Sequence, residues 1–484
     1  LGISFDLFTH THTDNHIKAT QEFFLSAYKN GDLEVANESQ LYDQEANMFL
    51  PDRYVNGTCP KCGYKDARGD QCDGCGETLA ATELLSPVSK ITGSTPVVRD
   101  TAHFFFHLEK YQEDIEKYVN DAKHWRTAVR NFTLGQLEKG LQPRPITRDL
   151  DWGVPVPLEG WEDKVMYVWF DAVIGYYSAS REWGESNGKN WKDWWDASNS
   201  RSYYFIGKDN VPFHAVIWPI ELLAHDRNLA LPYDVPANQF LNIADEKFSK
   251  SRGTAIWLAE SLNNYNVDSI RYYLASIFPE TKDANFSWSE LALRSNGELA
   301  AAWGNLVNRV ISFARKRFAG VVPTPTELSG RDLELLSEIQ AGMNGVATLI
   351  EGVNLRDALK ETMTLVRGVN KYLDDVSPWT TIKVDEARAG TSVFVALKAI
   401  DTLALMLSPF IPSSCDAVRH ALGGQAPIGG KVEISSDDSH EFLSFRSGLS
   451  EGADIWKISS LAGGEILGEL SPLYPMIELE QESE

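Results

Sequence analysis

Between Asp163 and Trp257 short apolar runs alternate with helical patterns, and this rhythm restricts the chain more than any other feature. Val165 to Phe170 reads as a buried strand and Ala172 to Trp183 as a helix; Tyr203 to Ile206 reads as the next strand and Val211 to Ala224 as its helix; Phe240 to Ile243 reads as a third strand. The alternation predicts a parallel sheet, because a crossover helix is what brings the chain back to start the next strand in the same direction. From about Glu290 to Leu422 Leu, Ala and Val recur at three-four spacing with short turns, which predicts an α-helical bundle. Nearer the start, Ile17, Phe24, Ala27 and Tyr28 recur at helical spacing within Thr13 to Lys29, and Asn30-Gly31 supplies a stop. The last residues carry Gly-Gly pairs, an acidic stretch at Ser435 to Glu441 and the apolar run Leu470 to Leu479, expected as a partly irregular tail along the body.

With 484 residues, 43% of them hydrophobic, the chain can bury two or three cores. Its 68 acidic side chains outnumber 45 basic ones, for a net charge of −23. Such a surface repels polyanions, so any nucleic-acid contact needs a local basic patch, for which the helical segment with Arg309, Arg315, Lys316 and Arg317 is the candidate. The most apolar long run, Val393 to Ile411, is interrupted by Lys398 and Asp401, so no membrane span is expected. With no signal peptide in view, the cytoplasm is the expected compartment. The chain opens on Leu1-Gly2-Ile3-Ser4, within what reads as strand and loop, and the expectation is a fragment lacking its natural start.

Four of the five cysteines form two pairs, Cys59-Pro-Lys-Cys62 and Cys72-Asp-Gly-Cys75, each followed by glycine. Each Cys-x-x-Cys bends two sulfurs toward one centre, and four thiolates suit a tetrahedral zinc whose binding folds a module too small to bury a core. Two disulfides are the competing reading and need an oxidising compartment. A closed four-sulfur site is structural and leaves no position for catalysis. Cys415 stands alone in an apolar helical region and reads as a core residue. His10, His12 and His16, with Asp14 among them, read as loop and cap positions.

In an open parallel sheet ligands bind beyond the carboxyl ends of the strands. The first strand delivers Trp169 and, further on, Tyr176; the second delivers Gly207 and Asp209, with Phe213, His214 and Trp218 on the helix that follows; the third delivers Lys247-Phe248-Ser249-Lys250-Ser251. Two lysines with interleaved serines suit a triphosphate, whose charge they follow as a phosphoryl group reacts. An aromatic pocket with one histidine and one tyrosine hydroxyl suits an unbranched polarisable side chain, and methionine fits, since thioether sulfur packs well against rings.

These residues resemble the class I aminoacyl-tRNA synthetases, specifically the methionyl-tRNA synthetase family. The lysine-serine loop is similar to the family's KMSKS signature, with Phe248 where methionine usually stands, and the resemblance extends to Phe49-Leu50-Pro51-Asp52-Arg53, Arg99-Asp100, Arg148-Asp149, Tyr167 to Tyr176, Gly207-Lys208-Asp209 and Ser377-Pro378-Trp379. It implies that Lys247, Ser249, Lys250 and Ser251 act on the ATP phosphates, that Gly207 and Asp209 face adenosine, and that Trp169, Ala172, Tyr176, Phe213, His214 and Trp218 shape a methionine pocket, with Val173 where the family often has proline. Trp379 is implied as the residue stacking on an anticodon base. The partners implied are L-methionine, ATP with Mg2+ and tRNA(Met), with structural Zn2+ on the four cysteines and a monomer as the expected state.

The implied layout is a Rossmann-type sheet, incomplete in its first half, with residues 1–15 ending that half, a connective insertion over 16–163 holding the knuckle at 59–75, and the second half over 164–243. The KMSKS-like and stem-contact region follows at 244–295, the helical anticodon-binding domain at 296–425 and the tail at 426–484. The family's HIGH tetrapeptide is absent, as is an acidic group for the substrate amine on a first strand–helix unit, so the expectation is that this chain alone is inactive or nearly so. Two rivals are a synthetase for isoleucine, leucine or valine, whose large editing insertion does not fit before Lys247, and a non-catalytic zinc-containing tRNA-binding protein derived from a synthetase.

Overall fold

A computed structural model describes the chain except residues 4, 52–53, 73–74, 76–77, 244–245, 248–255, 425–430, 437–440, 447–454 and 479–484. It divides into two compact units, Thr9–Ala237 and a second made of Leu1–Phe8 with Asn238–Glu484.

In the first unit the helix Asp14–Lys29 starts where expected, with the Thr13 hydroxyl accepting from the His16 N–H, and stops at Asn30 and Gly31, whose φ of +76° is costly for a residue with a Cβ. It packs against the helices Val168–Asn187 and Trp218–His225, with Phe23 stacked 4.0 Å from His225, and sets Phe24 edge-on against Phe104 of the strand Val97–Phe106. His16 is buried and bonded to Ser178 Oγ at 2.9 Å and Thr20 Oγ1 at 3.2 Å, and burial lowers its pKa to about 4, so it serves packing and capping. A long antiparallel ribbon, Leu33–Asp43 with Val97–Phe106, carries the cysteine module at its far end.

The strand expected over Val165 to Phe170 is shorter than its apolar run. Only Val165–Met166 is paired, and the helix begins at Val168 because Tyr167 is extended and its carbonyl already accepts from Phe170 and Asp171. Trp169 therefore sits in the first turn of a helix, not at a strand end. The stretch at Tyr203 makes a parallel bridge to Asp234, and Tyr204 N–H bonds Asp234 O at 3.0 Å. The helix expected over Val211 to Ala224 is present but not α-helical throughout: a 3-10 turn, Lys208–Asn210, leads into it, and Phe213–Ile217 is a π-helical turn before the α-helix Trp218–His225. Widened turns of this kind recur at functional sites.

In the second unit Leu241–Ile243 pairs in parallel with Ala284–Phe286, but among the described residues the three expected strands do not share one parallel sheet: Val165–Met166 pairs antiparallel with Thr147–Arg148, and Ile206–Gly207 pairs with Ala237–Asn238. The helices Asn305–Arg317, Gly330–Glu351, Leu355–Val376, Glu386–Leu407 and Pro412–Ala421 form the bundle. Glu386–Leu407, apolar and long enough to suit a membrane by composition, has 83% of its most apolar window buried as the bundle's central helix, and Cys415 is a core residue. The tail packs along the bundle: Tyr474 is buried with its hydroxyl 2.5 Å from Ser414 Oγ, and the Asn296 amide bonds both backbone polar groups of Ile477 at 2.9 Å. A hairpin, Lys431–Ser436 with Glu441–Arg446, precedes that stretch.

Candidate active site and metal centre

Each cysteine pair lies at the tip of a small antiparallel hairpin. Val55–Thr58 and Ala67–Arg68 flank Cys59 and Cys62, while Asp70–Gln71 and Thr78–Leu79 flank Cys72 and Cys75. Gly63 takes the positive φ expected of it, +74°, and its N–H returns to Cys59 O at 3.0 Å. The four sulfurs all lie within 4.8 Å of one another, with Cys62–Cys72 at 3.7 Å and Cys59–Cys75 at 4.0 Å. A tetrahedral zinc with Zn–S bonds of about 2.3 Å requires sulfurs about 3.8 Å apart, so the donor set fits zinc in number, chemistry and spacing. None of the four is in a disulfide, and the sulfurs stand well beyond S–S bonding distance, so the disulfide reading does not hold.

The residues expected to line the amino-acid pocket come from two adjacent helices of the first unit. Trp169, from the first turn of Val168–Asn187, stacks on Phe213 with centroids 3.9 Å apart and planes 13° from parallel. Two turns on, the 40%-exposed Tyr176 places its hydroxyl 2.7 Å from His214 Nε2, with Ala172 half-buried between. His214 Nδ1 lies 2.9 Å from the carbonyl of Asn210. A carbonyl only accepts, so Nδ1 carries the proton; burial lowers the His214 pKa and keeps the ring neutral, so Nε2 accepts from the Tyr176 hydroxyl. The 3-10 turn Lys208–Asn210 supplies the carbonyl that sets this tautomer, and the π turn carries His214 to it. Trp218 is fully buried, 6.5 Å from Tyr176, and forms the back of the wall instead of its lining. The structure therefore brings together Trp169, Ala172, Tyr176, Phe213 and His214, with Trp218 behind.

Gly207 ends a two-residue strand with φ −81°, a conformation open to any residue, and a Cβ there meets nothing within 4 Å. Glycine at this position keeps space free; the fold does not demand it. Asp209 follows on the 3-10 turn and is exposed. Of the lysine-serine loop, the backbone of Lys247 pairs with Asn242 in a short hairpin, and Ser249, Lys250 and Ser251 lie outside the described residues.

In the second unit Ser377 turns the chain with φ +41°, Pro378 starts a short helix, and Trp379 is half-buried beside the bundle. Phe313 meets its ring edge-on at 5.1 Å, and the Arg309 guanidinium lies over it at 4.8 Å. Of the basic segment, Arg309 thus joins Trp379, while Arg315 pairs with Glu469 at 3.0 Å. Sequence reading passed over four participants. Asn210 orients His214; Tyr204 accepts from the Trp218 indole at 3.0 Å; and Asp171 and Glu221 are buried carboxylates with unpartnered oxygens. The sequence carries no signal for the second, since Tyr203, Tyr204 and Phe205 are aromatic alike and only the fold buries the middle one.

The family model for class I tRNA synthetases (M) matches residues 1–311, and that for the anticodon binding domain of methionyl tRNA ligase matches 322–433. Methionine--tRNA ligase of Thermomicrobium roseum is 48% identical over 99% of this chain and 83% of its own length; that of Roseiflexus castenholzii is 44% identical with the same coverage. The crystal structure of Mycobacterium tuberculosis methionyl-tRNA synthetase bound by methionyl-adenylate superposes with a TM-score of 0.73 at 25% identity, covering 98% of this chain and 83% of that one. These matches lend no support to the expected inactivity and do not favour the non-catalytic tRNA-binding reading. An α/β catalytic region followed by a helical anticodon-binding region, matched over nearly its whole length, places the chain in the methionyl-tRNA synthetase family of class I aminoacyl-tRNA synthetases.

Proposed function

We propose that the pocket formed by Trp169, Tyr176, Phe213 and His214 binds the side chain of L-methionine, and that the chain joins it to tRNA(Met) in two steps. In the first, a methionine carboxylate oxygen attacks the α-phosphorus of ATP, taken with Mg2+, and pyrophosphate leaves; in the second, a terminal tRNA hydroxyl attacks the acyl carbon and AMP leaves. Lys247 and Lys250, with Ser249 and Ser251, hold charge against the phosphates as the α-phosphorus becomes five-coordinate. Gly207 lets adenosine approach the backbone, and Asp209 accepts from ribose hydroxyls. Trp379, with Arg309 beside it, stacks on an anticodon base. Zinc on Cys59, Cys62, Cys72 and Cys75 folds the small module and takes no part in the chemistry.

The observation that carries this reading is the neutral Tyr176–His214 pair set into an aromatic wall. An uncharged, ring-lined pocket favours a thioether and rejects charged side chains, which lose their hydration there without a partner. Pyrophosphate exchange run with each of the twenty amino acids tests it. Methionine is expected to drive exchange; exchange driven by isoleucine, leucine or valine and not by methionine overturns it.

A further inference from the structure

Tyr204 has no part in the reaction just described, yet it joins the back of the pocket wall to its polar rim. Its side chain is 4% exposed, and its oxygen accepts the Nε1–H of Trp218 at 3.0 Å. Trp218 is fully buried, so its indole N–H has no water to turn to, and any rotation of the ring leaves that donor unpaired. The Tyr204 ring also meets Tyr176 edge-to-face, with centroids 4.7 Å apart and planes at 83°, and lies tilted against His214 at 5.8 Å. Its backbone is fixed by the N–H bond to Asp234 O. One buried residue thus touches the back-wall indole, the tyrosine that donates to His214, and the histidine itself.

We propose that Tyr204 is a positioning residue for the amino-acid pocket: by pinning the Trp218 indole and bracing Tyr176, it sets the depth and shape that admit an unbranched thioether side chain. The inference rests on the methionine reading above. Removing the hydroxyl oxygen leaves the phenyl ring to pack but frees the indole to shift, so the loss falls on amino-acid affinity and not on ATP.

The test compares Tyr204→Phe with the parent full-length chain by isothermal titration with L-methionine and, separately, with ATP. The expected result is a methionine Kd raised about tenfold, the size of one buried donor left unmade, with the ATP Kd within about twofold. Trp218→Phe removes the donor itself, and in that background Tyr204→Phe is expected to add less than about twofold, because the coupling is gone. Circular dichroism verifies that each variant is folded; should Tyr204→Phe alone fail to fold, the comparison of Trp218→Phe with the double variant decides. An unchanged methionine Kd in Tyr204→Phe, or the same tenfold loss with and without Trp218, overturns the inference alone. A parent chain that binds ATP but no methionine overturns the functional reading and this inference with it.

Discussion

Glu221 is 2% exposed, lies on the Trp218–His225 helix and has no hydrogen-bond partner on either oxygen. Burial, with Asp171 as a like-charged neighbour, holds its pKa well above the ordinary 4.5. Asp171 itself, 9% exposed, is pushed up to about 7 by burial. Because the folded values exceed the unfolded ones, the sign is fixed: the stability tied to the protonated carboxyl is complete below about pH 4.5 and is lost as pH rises toward the folded value. While Glu221 stays protonated in the fold, ionisation of the unfolded chain costs about 1.4 kcal/mol for each pH unit above 4.5, hence about 2 kcal/mol by pH 6. Glu221→Met keeps the length and volume of the side chain and removes the titration. Hydrogen–deuterium exchange of peptides covering Trp218–His225, corrected for intrinsic rates, gives the local opening free energy independently of the second unit. The variant is expected to be the more stable at pH 6, by a margin that widens by about 2 kcal/mol from its low-pH value. A margin constant from pH 4.5 to 6.5 shows that Glu221 is ionised in the fold and refutes the reasoning.

Three further outcomes follow from the sites. Metal analysis is expected to find one zinc per chain, and Cys72→Ser to lose it together with exchange protection in the Val55–Ser89 hairpins; full protection without metal sinks the structural role of zinc. Burial holds His214 below its usual 6.5, so its ring stays neutral from pH 6.5 to 8 and the methionine Kd is expected to be flat there; a change of about tenfold or more across that window shows that the imidazole protonates. Trp379→Ala is expected to weaken tRNA binding roughly five- to 150-fold, the worth of about 1–3 kcal/mol for one stacked base, with the methionine Kd unchanged; equal tRNA affinity removes Trp379 from the anticodon contact.

Local chemistry in this chain was legible wherever one residue's own conformation decided the outcome. The Asn30-Gly31 stop, the glycine after Cys62 and the helix begun by Pro378 all appear where the sequence places them, because caps and turns depend on the residues present and little else. The paired cysteines were equally readable, since their spacing encodes the hairpin tips that carry them. Strand length was not. Val165 to Phe170 is apolar throughout, but a buried helix start and a buried strand present the same run of side chains, and only the bonds made to the Tyr167 carbonyl decide between them. The same limit applies to Val211–Ala224, where hydrophobic spacing cannot register the one extra residue per turn that makes Phe213–Ile217 a π turn.

That extra residue matters to the site more than the helix does. It lies in the turn that sets His214 beside the Asn210 carbonyl, and the Nδ1 bond to that oxygen fixes which imidazole nitrogen faces Tyr176. A sequence names the histidine and the tyrosine but leaves the tautomer open, because the orienting acceptor is a main-chain oxygen that any residue at 210 carries. Substituting Asn210 by alanine therefore leaves the hydrogen bond intact, and its effect on methionine affinity is expected to stay within about twofold, whereas Tyr176→Phe strips His214 Nε2 of its donor and is expected to cost about tenfold. Equal losses from the two variants show that the Asn210 side chain, and not its carbonyl, holds the ring.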